Sequence, residues 1–165
     1  MPRYTVSAGS FTVTARSSVH DTTTTWDKIT GTVEASPDDL AAARATFAVD
    51  MTSFDAGDWL KNRKLRSDFD MDKHPTATFE LRGVRDVVRT GDTFTATAEG
   101  VLAWRGKQVP LTLAGTGKLD ATAVEATAKF ELDITTLGLK APRFLMIKMS
   151  DAVAVSVTIR GAVPA

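Results

Sequence analysis

The sequence predicts an all-β protein built from antiparallel strands, and three observations predict it. Apolar and polar residues alternate along several segments, the pattern of a strand with one face buried and the other in water. Those segments are short, fairly evenly spaced and separated by Gly, Pro and Asp turns such as Thr90-Gly91-Asp92 and Arg105-Gly106-Lys107. No helical pattern is long enough to serve as a crossover between parallel strands. Periodicity alone leaves a barrel and a sandwich equally open.

The elements follow in chain order. Residues 10–16 place Phe11, Val13 and Ala15 on one face against Ser10, Thr12, Thr14 and Arg16 on the other. Residues 17–28 are mostly Ser and Thr, with Val19 and Trp26 as the only large apolar side chains, and read as a loop or irregular edge. Ile29, Gly31, Val33 and Ala35 share the next inward face. Ser36-Pro37-Asp38-Asp39 then combines turn residues with a helix start, which predicts a short helical turn over residues 40–43. Phe47, Val49 and Met51 point inward from the strand that follows.

Residues 58–74 form a polar irregular segment. Lys61, Arg63, Lys64 and Arg66 precede Ser67, and Asp68, Asp70 and Asp72 follow it. Trp59, Leu60, Leu65, Phe69 and Met71 are interleaved with these charges, so the segment covers an apolar surface while its tips stay in water. His74 precedes Pro75, which biases it toward extended backbone and starts a strand. Ala77, Phe79 and Leu81 alternate with Thr78, Glu80 and Arg82, and the Thr90-Gly91-Asp92 hairpin joins residues 84–89 to 93–100. Residues 101–115 read as strand, turn and strand, and Gly115-Thr116-Gly117 as a bulge or turn. Further strands run over residues 122–132 and 152–161, where Val153, Val155, Val157 and Ile159 make the clearest alternation.

A chain of 165 residues with 43% apolar composition builds one domain, residues 1–165, with a core of ordinary size. Twenty basic and twenty acidic residues leave no net field to attract nucleic acid or an anionic bilayer. The absence of cysteine removes disulfides and thiolate ligands. The N-terminal residues go straight into alternation without the apolar stretch of a secretory signal, so a cytoplasmic location is expected, or a periplasmic one if a signal has been removed. No window approaches the roughly 18 consecutive apolar residues that a membrane-spanning helix needs.

The central stretch resembles the signature of the YceI-like family. Asn62-Arg63, Leu65-Arg66-Ser67, Asp68-Phe69-Asp70 and the run from His74-Pro75 to Phe79 follow its pattern R-D-x-x-L-x-x-x-x-F-x-x-x-x-Y-P-x-x-x-F. Asn62-Arg63-Lys64 stands where the family usually has Arg-Asp, and His74 where it often has Tyr. Leu102, Gly106 and Leu113 match a second segment, Leu137-Gly138 resembles the penultimate F-G-I element, and residues 151–159 its last strand. The first quarter departs from the pattern, with Ala8-Gly9-Ser10 and a single His20 in place of D-x-x-H-S and a later K-H pair. The resemblance implies an antiparallel, eight-stranded, extended lipocalin-like barrel, here with one or two short helical turns. It also implies an interior that in several members holds a long isoprenoid chain.

Chemistry-bearing groups are sparse. His20 and His74 lie far apart, and a metal site would need Asp21, Asp70 or Asp72 as further ligands without any recognised metal spacing, so no metal is expected. No nucleophile elbow or phosphate loop is present. Arg63, Lys64 and Arg66 have the charge to clamp a diphosphate, but basic and acidic residues so interspersed satisfy each other. Arg63, in the family's signature position, is the exception.

The aromatic residues carry more information. In a small eight-stranded barrel the interior is either filled by side chains or left open for one apolar ligand. The candidate ligand-contacting residues are Phe11, Phe47, Phe54, Trp59, Arg63, Phe69, His74, Phe79, Trp104, Phe130 and Phe144. Small inward residues, namely Ala15, Gly31, Ala35, Ala77, Ala96, Ala98, Ala126 and Ala128, leave room and favour the open interior.

Three functions fit. The first is a non-enzymatic carrier of a long apolar ligand such as an isoprenoid, a quinone or another lipid, needing no cofactor and contacting neither nucleic acid nor the membrane interior. The second is an isomerase, cyclase or haem-assisted enzyme using His20, His74 or Asp50. The third is a structural or stress-associated barrel with a filled core.

Residues 141–149 (APRFLMIKM) are almost continuously apolar, too much so for a solvated loop and without the alternation of a one-sided strand. They predict a homodimer interface or the rim of the ligand entrance, against the alternative of an ordinary buried strand. Replacing Leu145 and Ile147 with Asp separates these readings by light scattering and circular dichroism. A folded monomer supports the interface, unfolding supports the buried strand, and an unchanged folded dimer overturns the interface.

Overall fold

Alternation along the chain becomes a wall that curls until its first and last strands meet. The computed structural model describes residues 3–16, 21–139, 143–144, 147–148 and 151–164, with Ser7, Arg143, Phe144, Ile147 and Lys148 described as backbone. In chain order the elements are β1 (Arg3–Ala15), β2 (Thr22–Trp26), β3 (Ile29–Ser36), β4 (Asp39–Asp50), a 3-10 turn (Met51–Ser53) and α1 (Trp59–Asp68). There follow β5 (Thr76–Thr90), β6 (Thr93–Trp104), β7 (Lys107–Leu119), β8 (Ala123–Asp133), a second 3-10 turn (Ile134–Leu137), β9 (Arg143–Phe144), β10 (Ile147–Lys148) and β11 (Ala152–Ala162).

Strands β1, β3, β4, β5, β6, β7, β8 and β11 form a closed antiparallel ring, sealed by the pairing of β1 with β11. Closure removes the exposed strand edges that an open sheet would present to other chains. At about 3.3 Å per residue the 15-residue β5 is roughly 50 Å long, so the barrel is elongated. Strand β1 pairs with β3 over residues 3–6 and with β2 over residues 11–15. Strands β2 and β3 therefore occupy successive stretches of one edge, broken at Asp27-Lys28. The pair β9–β10 is a separate two-stranded ladder.

Four local readings are corrected. Residues 22–26, expected as a loop or irregular edge, are a strand whose inward positions Thr22, Thr24 and Trp26 are buried; two of the three are polar, which hid the alternation. Residues 40–43, expected as a helical turn, lie within β4, where six residues (Asp39 to Arg44) lie opposite only three of β3 (Ser36 to Glu34). This irregularity accommodates the Ala-rich run. Residues 59–68, expected as irregular, are helical: Asp58 caps the first turn by accepting the Lys61 N–H at 2.8 Å. Only Leu65 of the helix is buried, so no apolar stripe announced it. Gly115-Thr116-Gly117 is neither bulge nor turn but regular β7 backbone paired with β6 and β8.

Inside the ring two apolar clusters form, one holding Trp26, Met51, Leu65, Met71 and Trp104, the other Tyr4, Ile29, Leu40, Leu119 and Val124. Phe11, Val49 and Val157 pack against both. Fully burying a side chain of this size contributes about 1.5–3 kcal/mol.

Two glycines decide how the aromatic rings lie. Gly31 pairs with Phe47, whose Cδ1 would sit 3.0 Å from a Cβ placed on that glycine. On Gly100, a Cβ would strike both the Glu80 carbonyl and the Phe79 ring. The missing side chains let the two rings lie close against the wall. Gly100→Ala is expected to lower stability by about 1–3 kcal/mol in urea unfolding, since an added methyl in a packed site forces its neighbours to move. Gly83→Ala, where nothing lies within 4 Å of the new Cβ, is the control and should change stability by no more than about 0.5 kcal/mol.

Candidate functional site: an apolar cavity within the barrel

The inward faces enclose a cavity of about 320 Å³. Its origin is a row of small residues at one level of the wall: Ala96 of β6 pairs with Gly115 of β7, which pairs with Ala128 of β8. The row continues through Val157 of β11 and Phe11 of β1 to Trp26 of β2, where the Phe11 and Trp26 rings stack at 4.6 Å. Phe47 and Phe79 come from β4 and β5, four places round the ring from β8 and β11, and stack at 6.4 Å. Inward residues of β8 from Ala126 to Leu132 are half-buried, not buried, because they face an internal space.

The lining is apolar almost without exception. Thr78 and Thr127 are the polar residues that border it apart from the two indoles, and they alternate with inward neighbours, Thr127 Oγ1 lying within 3.2 Å of Thr158 Oγ1. No charged side chain among the described residues lines it. Both indole N–H groups are satisfied by backbone carbonyls: Trp26 donates to Met51 at 3.2 Å and Trp104 to His74 at 2.8 Å.

Those carbonyls belong to the segment 51–75, which plugs one end of the barrel. Met51 and Phe69 face the cavity, while Phe54, Ala56, Leu65 and Met71 are buried beside them. The plug is sewn to the wall by several backbone contacts. Its own two ends meet where the Met51 N–H donates to the Pro75 carbonyl at 2.7 Å, and its Asp55 exchanges two hydrogen bonds at 2.9 Å with Thr25 of β2. Arg105, held at φ 56 in the two-residue turn between β6 and β7, donates to the Phe69 carbonyl. Arg66 binds Asp72 at 2.8 Å and lies 5.3 Å from the Phe54 ring centroid.

At the opposite end Arg89 draws three connections together, donating to the carbonyls of Pro37 (2.7 Å), Gly91 (2.8 Å) and Leu119 (3.1 Å). Tyr4, fully buried, donates its hydroxyl to the Asp120 carbonyl. Burial raises the Tyr4 pKa, Asp120 adds to the rise and Arg89 opposes it.

The carboxylates with displaced pKa values are turn caps, not cavity groups. The Thr52 hydroxyl and N–H lower that of Asp50, and the Gly57 N–H with the Asn62 amide lowers that of Asp55. The N–H and hydroxyl of Thr122 and the Ala123 N–H lower Asp120; the hydroxyl and N–H of Thr135 lower Asp133.

Of the candidate residues, Phe11, Phe47, Phe69, Phe79, Trp104 and Phe130 are brought together around the cavity. Phe54 lies behind Trp26, ring to ring at 6.0 Å, and His74 contributes its backbone to the plug instead of its ring to the lining. Trp59 and Arg63 do not reach the cavity. Both are exposed on α1, because Leu65 is the helix residue that turns inward. Phe144, His20 and the segment 141–149 fall where side chains lie outside the described residues. Lys64 pairs with Asp68 and Arg66 with Asp72, so this charged stretch largely satisfies itself. Among the described residues no group of three potential metal ligands comes together.

Several lining residues were not singled out as contacts from the sequence: Trp26, Leu102, Leu111, Leu113, Val155 and Ile159. The alternation of their strands was the available signal, and choosing aromatic residues alone passed over it.

A closed antiparallel barrel around an apolar cavity, plugged at one end by a segment that carries a helix, defines a lipocalin-like barrel. The model of the YceI-like domain matches residues 4–161, and the chain belongs to that family. Solved structures with the same fold include a polyisoprenoid binding domain from Saccharophagus degradans implicated in plant cell wall breakdown, at 15% identity and TM-score 0.80 over 99% of this chain and 100% of that one. BcnA of Burkholderia cenocepacia aligns at 18% identity and TM-score 0.75, covering 92% and 95%. The Campylobacter jejuni YceI protein aligns at 12% identity and TM-score 0.68, covering 86% and 85%. A sequence comparison with curated proteins finds no match.

The four capping carboxylates give an acid-stability prediction. Each has a folded pKa below its ordinary value. Their contribution is therefore complete above the unfolded pKa of about 3.9 and disappears as pH falls through the folded value. Urea midpoints should hold from neutral pH down to about pH 5 and then decline. Asp50→Asn combined with Asp133→Asn should make that decline shallower; an unchanged slope would show that these caps do not set it.

Proposed function

We propose that this protein binds a long apolar ligand inside its barrel and carries it, with an isoprenoid or quinone chain as the favoured class. The observation that carries this reading is the cavity of about 320 Å³ with no charged side chain in its lining. Such a volume falls at the lower end of the roughly 300–1,000 Å³ range of small-molecule sites. Each methylene moved from water into it contributes about 0.8 kcal/mol, so a chain of many carbons binds with few polar contacts. The name of the Saccharophagus degradans relative, a polyisoprenoid binding domain, supports the same ligand class.

The same observations weigh against the other two functions. Proton transfer in the cavity would need a titratable group there, and Asp50 lies outside the lining with its carboxylate committed to Thr52. A structural barrel would fill the space that Ala96, Gly115 and Ala128 leave empty.

The test is native mass spectrometry of freshly purified protein with organic extraction, followed by titration with a fluorescent isoprenoid probe. Gly115→Leu supplies the specific variant. A Cβ on Gly115 meets only the carbonyls of Ala96 at 3.7 Å and Thr127 at 3.9 Å, so a larger side chain extends into the cavity without disturbing the ladder. Gly115→Leu should weaken probe binding by roughly tenfold or more, several buried carbons of the ligand being displaced, while leaving the protein folded. No extractable lipid and no probe uptake by the wild type would overturn the carrier reading.

A further inference from the structure

The two most exposed large apolar side chains among the described residues that are adjacent in sequence are Trp59 and Leu60, at 67% and 63% exposure. They form the first turn of α1, on the outside of the plug. One helical turn further on, at i+4, stand Arg63 and Lys64, so each apolar residue has a cation directly behind it on the same face. Arg63 is exposed and enters no ion pair among the described residues, while Lys64 shares its charge with Asp68 at 3.0 Å. Residues 58–72 carry four cations and four carboxylates, with Lys64 paired to Asp68, Arg66 to Asp72 and Asp58 taken up in capping the helix, so Arg63 is the cation this face presents without a carboxylate partner among the described residues.

We propose that this face of α1 docks on the surface of a lipid bilayer, Trp59 and Leu60 entering the headgroup boundary and Arg63 and Lys64 meeting the phosphates. Indole and leucyl side chains followed at one turn by cations match the depth order of a bilayer interface: apolar atoms deepest, positive charge at phosphate level. A protein partner would need no such order. The same segment that presents this face continues into Phe69, which lines the cavity. Docking therefore brings the barrel's plug against a phase in which a water-insoluble ligand is dissolved. The inference rests on the proposed apolar ligand for its purpose, but the docking itself is measurable without one.

The experiment uses extruded vesicles of phosphatidylcholine with about one-third phosphatidylglycerol, the anionic lipid giving the surface its negative potential. Trp59→Ser combined with Leu60→Ser should reduce co-flotation roughly tenfold relative to wild type, since the inserted apolar area is lost. Arg63→Glu should reduce it and weaken its dependence on salt. Both variants alter exposed positions, and near-ultraviolet circular dichroism checks that the barrel is intact.

Brominated phosphatidylcholine supplies a second readout. Trp26 and Trp104 are 5% and 6% exposed, so quenching of tryptophan emission on vesicle binding reports Trp59 and should vanish in Trp59→Phe. Uptake of the isoprenoid probe is then compared from vesicles and from detergent. A double variant slower only from vesicles supports docking, whereas equal loss from both overturns it. Wild-type flotation of the double variant, or a light-scattering dimer that dissociates on this substitution, also overturns it, the latter by assigning the face to a second copy. Normal docking with no uptake from either source would instead defeat the apolar-ligand reading and leave the docking standing.

Discussion

The pairing of β1 with β11 is the constraint on which the rest of the molecule depends. Its ladder runs from Thr5 opposite Ala162 to Ala15 opposite Val153, with one irregularity between Val6 and Ala8. Once it forms, every strand of the ring has two neighbours, and alternation sorts side chains into an interior and an exterior. Hydrogen bonding and apolar burial then act together: the ladder satisfies the backbone, and the curvature it imposes gathers Val153, Val155, Val157 and Ile159 with the other inward residues. An open sheet with the same sequence would expose that face to water.

Closure creates an interior, and the identity of a few residues decides what becomes of it. Had Ala96, Gly115 and Ala128 been large, the barrel would have been filled. Because they are small and lie side by side across three strands, the opposing aromatic rings do not reach across. Gly31 and Gly100 act in the same direction, allowing Phe47 and Phe79 to lie against the wall. The plug completes the enclosure. Its fixings are mainly polar groups donating to backbone carbonyls, from Trp26, Trp104 and Arg105, so it seals an apolar space without placing a charge inside it. Two indoles that would otherwise bring unsatisfied N–H groups into an apolar lining thereby become its anchors.

The segment bearing the family's characteristic residues serves the structure of this end more than the lining. Asn62 accepts the Ala56 N–H at 2.6 Å and donates to Asp55 at 3.2 Å, and Arg66 reaches Asp72 and Phe54. Of its apolar residues before β5, Phe69 faces the cavity, with Leu65 and Met71 packed beside it, and Ala77 and Phe79 join the lining only where the motif enters β5. Gly138 fits the same picture: with φ 75 it ends the second 3-10 turn by donating to the Thr135 carbonyl at 3.0 Å, and it leaves Leu137 and Leu139 facing the interior. The motif marks how the barrel is closed, which explains why Arg63 within it is exposed and Arg66 is engaged.

Alternation by itself determined most strands of the ring and the inward parity of Phe11, Phe47, Phe79 and Val155, because a period of two is a local property of the backbone, and the turn residues around Gly91 and Gly106 determined the two hairpins. Small inward residues such as Ala96, Ala98 and Ala128 were legible in the same way. Where the inward residue was polar, as at Thr22 and Thr24, or where a helix buried one residue only, as α1 buries Leu65, composition gave no periodic signal and the element was missed. The tertiary structure alone decided that Ala96, Gly115 and Ala128 stand at one level, that Trp26 belongs with Phe11, and that Trp59 and Arg63 face outward. Strand register and the angle of a capping helix arise from contacts between distant segments, and no pattern along a single segment encodes them.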